Sequence, residues 1–311
     1  MLKRLIPLRR RCGVLRRHAR FFSSSPSPPP TPSTPTFYDD LSLYLKRVVD
    51  RSHQLTRYSE HSVFPPSNWT LSNYLLYAQL QLPSKTEIDA VEFLTGARFA
   101  CDRVIRAMHS QELVDYAADN APRPQQADEM EKMFEPTCYQ RLFLPRVRRL
   151  GGGVSSLQLT ELDFTGVYLS GVTCQRTTRA NLKAEETLRA VVGETIAQKQ
   201  REKQLKDGGR PNVMEVVSDL SDIKHKLQKS RDSSDDSQDE AVVERLQLDA
   251  LFHTTQTVEA VQAKTAERVT VTTDVKTTLS FESLVTEPED VDWRIVKMNQ
   301  MGRVVNRTKG N

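Results

Sequence analysis

The chain has 311 residues, with 44 Lys or Arg and 40 Asp or Glu, which gives a formal net charge of +4. A mean hydropathy of −0.53 with 27% charged residues is typical of a soluble protein, and the sequence has no run of about eighteen apolar residues that would span a bilayer. The cysteines show no CxxC pair and no histidine at ligand spacing, so we expect reduced thiols rather than disulfides or a zinc site. They are Cys12, Cys101, Cys138 and Cys174.

The first 36 residues contain no Asp or Glu. Residues 1–22 mix eight basic residues with leucine and isoleucine and run into serine, which is typical of a mitochondrial transit peptide. The stretch RFFS resembles a matrix-peptidase site with its cut between Phe22 and Ser23. Removing residues 1–22 would change the net charge from +4 to −4, so the positive net charge comes from this segment. The alternative is a basic arm that binds nucleic acid.

Residues 23–36 (SSSPSPPPTPSTPT) have the composition of an extended Pro/Ser/Thr linker. In residues 37–85, two helical patterns follow, separated by Pro65-Pro66. The positions that define them are Leu41, Leu45, Val48, Ser52 and Leu55, then Leu71, Tyr74, Leu75, Ala78 and Leu82.

Residues 86–108 carry the helical pattern around which we organise the fold. Apolar residues recur at spacings of three and four, which places them on one stripe of an α-helix. They are Ile88, Val91, Leu94, Ala97, Cys101, Val104, Ile105 and Met108. Thr86 is a candidate N-cap, with Asp89 in the capping-box position. Ser110 is a candidate cap for a shorter helix, so we expect a break at His109–Ser110.

Short helices interrupted at Pro136 come next, and they end in a group of arginines before Gly151-Gly152-Gly153. The group consists of Arg141, Arg146, Arg148 and Arg149. Arginines beside apolar residues can meet anionic lipid head groups or rRNA phosphates, so this segment is our candidate lipid or rRNA contact. The alternative is a set of ordinary surface arginines at a helix end.

Beyond residue 153 the apolar pattern alternates, as in strands with one covered face of an antiparallel sheet. The first strand slips once at Thr160–Glu161, which predicts a β-bulge. Strands two and three each keep one parity, and strand three is long enough to require a bend. The inward positions are Val242, Leu246, Leu248, Ala250 and Phe252, then Val269, Val271, Thr273, Val275, Leu279, Phe281 and Val285. Val291, Trp293 and Ile295 predict a closing strand.

Residues 180–240 form a charged insertion between strands one and two. Residues 182–205 predict a polar helix, and the acidic and serine-rich residues 230–236 predict disorder. We interpret the insertion as a solvated loop, with a docking segment as the alternative.

The sequence FLTGARFACDRVIRAMHSQEL resembles the helix that opens the Tim-forty-four-like domain. The strand 269–281, followed by Trp293-Arg294-Ile295, resembles the last two strands of that domain. The resemblance covers about 86–150 and 241–298 plus the first strand. It implies an α+β cone of the nuclear-transport-factor-two class, with about four curved antiparallel strands around the long helix and N-terminal helices before it.

On this basis we place a Tim-forty-four-like domain at 86–300, with the insertion inside it and a basic tail at 301–311. The expected core of helix and sheet comprises Leu94, Ala97, Cys101, Val104, Val271, Val275, Leu279, Phe281 and Trp293. The long insertion departs from a compact member of the family.

The resemblance implies a non-enzymatic adaptor of the mitochondrial matrix, peripheral to the inner membrane and associated with the large ribosomal subunit or its membrane attachment. The alternative is a component of the inner-membrane import motor. The implied partners are ribosome or translocase components and anionic lipid, with rRNA as a further contact, no DNA and no cofactor.

Cone folds also host isomerases that use an Asp or His in a cavity, so an enzyme is a further alternative. The inward positions of strands two and three carry no acid or base, whereas Asp163, Asp249 and His253 have the opposite parity. We therefore expect no catalytic residue. A filled core is the expectation for the interior, with an apolar cavity for a lipid-like ligand as the alternative.

Overall fold

The computed structural model describes residues 37–185, 187, 242–286 and 291–310. They form an α+β fold whose four-stranded antiparallel sheet has the order β1-β2-β3-β4. The helices are α1 (Phe37–Asp50), α2 (His53–Glu60), α3 (Thr70–Leu80), α4 (Ala90–Met108), α5 (Gln111–Ala117), α6 (Gln125–Met133), α7 (Pro136–Cys138) and α8 (Leu144–Leu150), with a π-helical turn at Tyr139–Phe143. The strands are β1 (Val154–Thr178), β2 (Val242–Gln262), β3 (Arg268–Val285) and β4 (Arg294–Gly310).

Some predicted segments lie outside the described residues. These are the transit peptide with its Phe22–Ser23 cut, the linker 23–36 and nearly all of the insertion. Within the insertion, residues 180–185 and 187 are described, and they are helical.

Helix α4 is the predicted organising helix, and its stripe is buried or half-buried along the whole length. The prediction of the N-cap was wrong. The helix begins at Ala90, and its cap is Asp89, whose side chain accepts hydrogen bonds from the backbone N–H groups of Val91 and Glu92. A carboxylate at this position satisfies otherwise unpaired donors and meets the positive end of the helix dipole. The predicted break at His109–Ser110 is present, and α5 follows it.

The central strands β2 and β3 pair without a register shift from Glu244–Val285 to Val261–Arg268. Their predicted parity is confirmed along most of this ladder, since even-numbered residues of β2 and odd-numbered residues of β3 are buried. Three of the predicted inward positions differ. Val242 is 47% exposed, because it lies beyond the first β2–β3 pair, and Val271 and Thr273 are only half-buried.

Strand β1 contains four bulges where the sequence predicted one. The slip at Thr160 is confirmed, and the same irregularity recurs at five-residue intervals. The extra residues are Ser155, Thr160, Thr165 and Ser170. Each of their hydroxyls donates to a β2 carbonyl at 3.0–3.3 Å. Each of these four five-residue units has an apolar residue first, Ser or Thr second and another apolar residue fourth. Each bulge also bends the strand.

Strand β4 corrects the predicted C-terminus. Val291 and Trp293 lie before the strand, and residues 301–310, predicted as a basic tail, form its second half and pair with β3. Residues Met301–Lys309 are exposed on both faces, so this half has no alternation for a sequence pattern to reveal.

The core lies between the helices and the inner face of the sheet. Helix α4 packs on β1 and β2, and it reaches β3 through Phe93, whose ring centroid is 5.5 Å from that of Phe281. Trp293 is half-buried, and its ring centroid lies 5.2 Å from that of Phe93. Among the described residues the cysteines Cys101, Cys138 and Cys174 are free thiols. Burial raises the pKa of all three, to about 12 for Cys138 and about 11 for Cys174.

Candidate functional site

The predicted arginine group lies on the helical segment formed by α7, the π-turn and α8. In a regular α-helix, residues seven apart share a face, so Arg141 and Arg148 would point the same way. The π-turn at Tyr139–Phe143 adds one residue to the turn and offsets that alignment. Arg141 accordingly lines a cleft with Lys297 of β4. Arg148 and Arg149 line a different cleft with Tyr116.

Two of the four arginines have structural partners. Arg148 donates to the carbonyl of Ala117 and forms an ion pair with Asp119 at 2.7 Å. Arg146 is half-buried and donates to the carbonyl of Gln300 at 3.4 Å. Burial, and then the neighbouring charge of Arg149, lowers the pKa of Arg146. The structure thus leaves Arg141 and Arg149 available, and lipid or rRNA contact by the whole group stays a prediction.

A different surface stands out at helix α3. Residues 62–84 contain no Asp, Glu, Lys, Arg or His. One side of α3 packs on the core through Leu76, Tyr77 and Leu80. The other side is exposed, and its large side chains are Trp69 (77% exposed), Leu71 (62%), Tyr74 (52%) and Leu75 (56%). We call these four residues the α3 outer face.

The helix was predicted, but its buried side was not. The positions Leu71, Tyr74 and Leu75 that indicated α3 are the exposed ones. The first predicted helix forms two helices, α1 and α2. Of the positions that indicated it, Leu41 and Leu45 are exposed at 41% and 53%, whereas Val48 and Leu55 are half-buried against the core. The exposed side chains do not result from helices that lack contacts with the fold. Helices α3 and α1 contact each other, since the Tyr77 hydroxyl donates to the Val48 carbonyl at 2.7 Å.

Several cations of the segments that flank α3 have protein partners. Arg47 donates to the Pro83 carbonyl, Arg51 forms an ion pair with Glu87 at 3.1 Å, and Lys85 donates to the Val242 carbonyl at 2.5 Å. The α3 outer face itself contains no charged residue.

A cleft of about 510 Å³ opens beside the α3 outer face. All of its lining residues are uncharged. They are Leu55, Thr56, Tyr58, Ser59, Ser62, Phe64, Pro65, Pro66, Asn68, Thr70, Asn73, Tyr74 and Tyr168. The Oδ1 atom of Asn73 is buried and has no hydrogen-bond partner among the described residues. The cleft extends the neutral, aromatic character of the outer face towards β1.

The described residues offer no arrangement of acid, base and nucleophile in a shared cavity. Asp163, Asp249 and His253 alternate with the inward positions, as predicted. Burial, and then the charge of Lys276, lowers the pKa of His253. No group of three or more His, Cys, Asp and Glu side chains in this part of the chain is placed to hold a metal ion.

Glu244 of β2 is a buried carboxylate that was not predicted from the sequence pattern, although its even number places it on the inward side. It accepts hydrogen bonds from the backbone N–H groups of Ser84 and Lys85 at 3.0 Å and from the Ser84 hydroxyl. Arg176 lies 3.6 Å away. These donors account for the carboxylate, so its role is to fix the connection between α3 and α4.

Comparison with known protein families, curated proteins and solved structures gives no match. The resemblance to the Tim-forty-four-like domain therefore stays a prediction. In the described ranges, no helix is long and apolar enough to cross a membrane.

Proposed function

We propose that this protein is a non-enzymatic adaptor of the mitochondrial matrix that attaches peripherally to the inner membrane through the α3 outer face. The observation that carries the proposal is the exposure of Trp69, Leu71, Tyr74 and Leu75 on a helix without charged residues. Trp and Tyr beside Leu suit the boundary between head groups and acyl chains, because their rings are apolar with one polar atom. Lipid contact would desolvate no charge on this face.

The expected contributions to the free energy of membrane binding favour the α3 outer face over the arginine group. Burying each large apolar side chain contributes about 1.5–3 kcal/mol, before the entropy lost on binding is subtracted. An arginine near an anionic surface contributes about 1 kcal/mol and is screened by salt. Among the described residues, Arg141 and Arg149 are the members of the predicted group without a protein partner, so we assign them a secondary contribution.

The finer fold that we propose is a cone of the nuclear-transport-factor-two class, with β1 to β4 curved around α4. The bulges of β1 and the packing of α4 on the inner face support it. With the acid-free N-terminal sequence, the resemblance favours a partner at the mitochondrial large ribosomal subunit or its membrane attachment. The import motor is the alternative partner.

Liposome flotation tests the membrane contact. We compare the chain starting at Ser23 with the full chain, because residues 1–22 add eight positive charges. Vesicles with and without cardiolipin are used at low and high salt. The chain from Ser23 should float at both salt concentrations, and replacing Leu71 and Leu75 with Ser should abolish flotation. Replacing Arg141 and Arg149 with Glu should weaken it at low salt only.

The matched control replaces Val304 and Val305 of β4, each 59% exposed, with Ser. Flotation of this control should equal that of the parent. If the Leu71 and Leu75 variant floats like the parent, the α3 outer face is not the membrane contact. A pull-down from solubilised mitochondria with mass spectrometry then separates the partners, because large-subunit ribosomal proteins and import-motor components are different outcomes.

A further inference from the structure

The outer edge of β4 is covered only along its first half. At the start, the backbone N–H of Glu135 donates to the Ile295 carbonyl at 2.9 Å, and Phe134 forms a parallel bridge with Ile295. Farther along, Arg146 donates to the Gln300 carbonyl. Beyond Gln300, the described residues place no hydrogen bond on this edge. An uncovered strand edge presents N–H and C=O groups that can pair with another strand.

The other edge of the sheet differs. Strand β1 is interrupted by a bulge every five residues, which breaks any regular ladder that a further strand would need. Two of its backbone N–H groups are also used by neighbours: that of Leu169 donates to the Val63 carbonyl, and that of Leu157 donates to the Gln111 side chain. Strand β4 has one bulge in its uncovered half, at Val305, and its backbone there donates to no neighbour outside the sheet among the described residues. Of the two edges, β4 is therefore the one more open to a partner.

Charge indicates which partner the edge accepts. Strand β4 has five basic residues and no acidic residue. In its uncovered half, Arg303 and Arg307 make no hydrogen bond or ion pair with the described residues, whereas Lys309 pairs with Glu267 at 2.9 Å. Arg303 pairs with Asp274 and Arg307 with Val271, so the two arginines lie on opposite faces of the sheet. A second copy of this half would bring only the same basic residues to the edge, and like charges brought together repel. An acidic strand would place opposite charges there instead.

Apolar side chains on the same half complete the recognition surface. Met301 is 66% exposed and pairs with Lys276, whereas Val304 is 59% exposed and pairs with Thr273. Residues 276 and 273 differ in parity on β3, so Met301 and Val304 lie on opposite faces of the sheet. A neighbouring strand would find one apolar contact on each face.

We propose that residues 301–310 of β4 bind an extended acidic peptide segment as a fifth strand of the sheet. Backbone hydrogen bonds hold the segment, and Arg303 and Arg307 select its acidic side chains. This site is separate from the α3 outer face, and it would operate whether or not the protein binds a membrane.

Fluorescence anisotropy with the full chain tests the proposal. The probe is a labelled eight-residue peptide of sequence EEVVEEVV, which as a strand presents glutamates and valines on both faces, because Arg303 and Arg307 lie on opposite faces. Its matched control is the same peptide N-methylated at two adjacent central residues, which keeps the charge but removes one amide donor from each edge. We expect the N-methylated peptide to bind about tenfold more weakly, which corresponds to about 1.4 kcal/mol. At the same concentration, amide exchange in residues 301–310 should slow more with the unmethylated probe than with the N-methylated one.

Two charge-reversed variants locate the contact. Arg303→Glu with Arg307→Glu should weaken binding of the probe about tenfold. Arg294→Glu with Lys297→Glu changes the charge of β4 by the same amount in its covered half, and its affinity should stay within about twofold of the parent, a difference of about 0.4 kcal/mol.

Four outcomes would overturn the proposal. They are equal binding of both peptides, equal weakening by both variants, displacement of the probe by single-stranded oligouridine, and absence of probe binding. The peptide comparison uses the unmodified protein, so it remains decisive even if a variant fails to fold.

Discussion

Helices α3 and α4 are neighbours in the chain, but they use their apolar residues differently. Helix α4 buries one side, including Leu94 and Cys101, and turns the charged residues Arg103 and Arg106 to solvent. Helix α3 buries one apolar side and exposes another that is equally apolar. The polar side of α4 determines its orientation in the fold. Because α3 has no charged side, its outer face is free for a different apolar environment.

The same contrast assigns a role to each helix. The apolar stripe of α4 stabilises the fold, because its members contact the sheet and the helices around it. The outward residues of α3 contribute little to folding, since they are exposed in the folded state. Substitutions on the stripe of α4 should therefore affect folding, whereas substitutions on the α3 outer face should affect binding.

The largest expected effect comes from an acidic residue on the buried stripe. Leu94 is 7% exposed, so Leu94→Asp buries an unpaired carboxylate and should lower the free energy of unfolding by more than about 4 kcal/mol. Leu71→Asp on the α3 outer face should change it by about 0.5 kcal/mol or less. Soluble yield and urea unfolding measure both. Similar losses for the two variants would mean that α3 is packed as α4 is.

Arg98→Asp is the control on the exposed side of α4. The Arg98 guanidinium lies 5.1 Å from the centroid of the Phe164 ring, so this variant should lose about 0.5–1 kcal/mol of cation–π attraction. A loss as large as that of Leu94→Asp would place the buried face of α4 on the wrong side.

Sequence periodicity predicted α4, the parity of β2 and β3, and the first-recognised bulge of β1, because each depends on local spacing of apolar residues. It predicted α3 but not its buried side, because a helix without charges gives no contrast between faces. The second half of β4 was missed for a related reason: both of its faces are exposed, so no alternation is selected.

The arginine group shows a second limit of sequence patterns. Arg141 and Arg148 are seven residues apart, which predicts one shared face, and the π-turn between them removes that alignment. An added residue within a helical turn leaves no simple mark in the order of apolar residues. Glu244, in contrast, could have been found, because its even number in β2 already placed a carboxylate on the inward side.

An intermediate effect is expected at the connection between α3 and α4, which Glu244 fixes. Glu244→Gln keeps the size of the side chain but removes its charge, so the hydrogen bonds from Ser84 and Lys85 lose their charged acceptor. Hydrogen bonds to charged groups contribute about 1.5–3 kcal/mol, and the variant should lose that amount near neutral pH. Urea unfolding at neutral pH measures the difference, and Glu92→Gln on the exposed side of α4 is the matched control.

The pH dependence of stability gives an independent check on Glu244. Burial raises the pKa of this carboxyl, but the hydrogen bonds from Ser84 and Lys85 and the charge of Arg176 outweigh burial and hold its pKa below the ordinary value of 4.5. Its contribution is therefore complete above pH 4.5 and is lost as the pH falls through the lowered pKa. Glu244→Gln should lose less stability than the parent over that range. Parallel losses in the two proteins would show that the carboxylate is not ionised in the fold.

The smallest expected effect comes from removing one hydroxyl group on each side of α3. The Tyr77 hydroxyl is buried and donates to the Val48 carbonyl, so Tyr77→Phe should lower the free energy of unfolding by about 1 kcal/mol. Tyr74 is 52% exposed and makes no hydrogen bond with the described residues, so Tyr74→Phe should leave stability unchanged. Both variants keep the aromatic ring, and therefore a difference in urea midpoint at constant slope reports the hydrogen bond alone.

Flotation should remain near the parental level for Tyr74→Phe, because the apolar area of the outer face is retained. If Tyr74→Phe destabilises the fold as much as Tyr77→Phe, both sides of α3 are held by protein contacts, and the outer face is not a free surface.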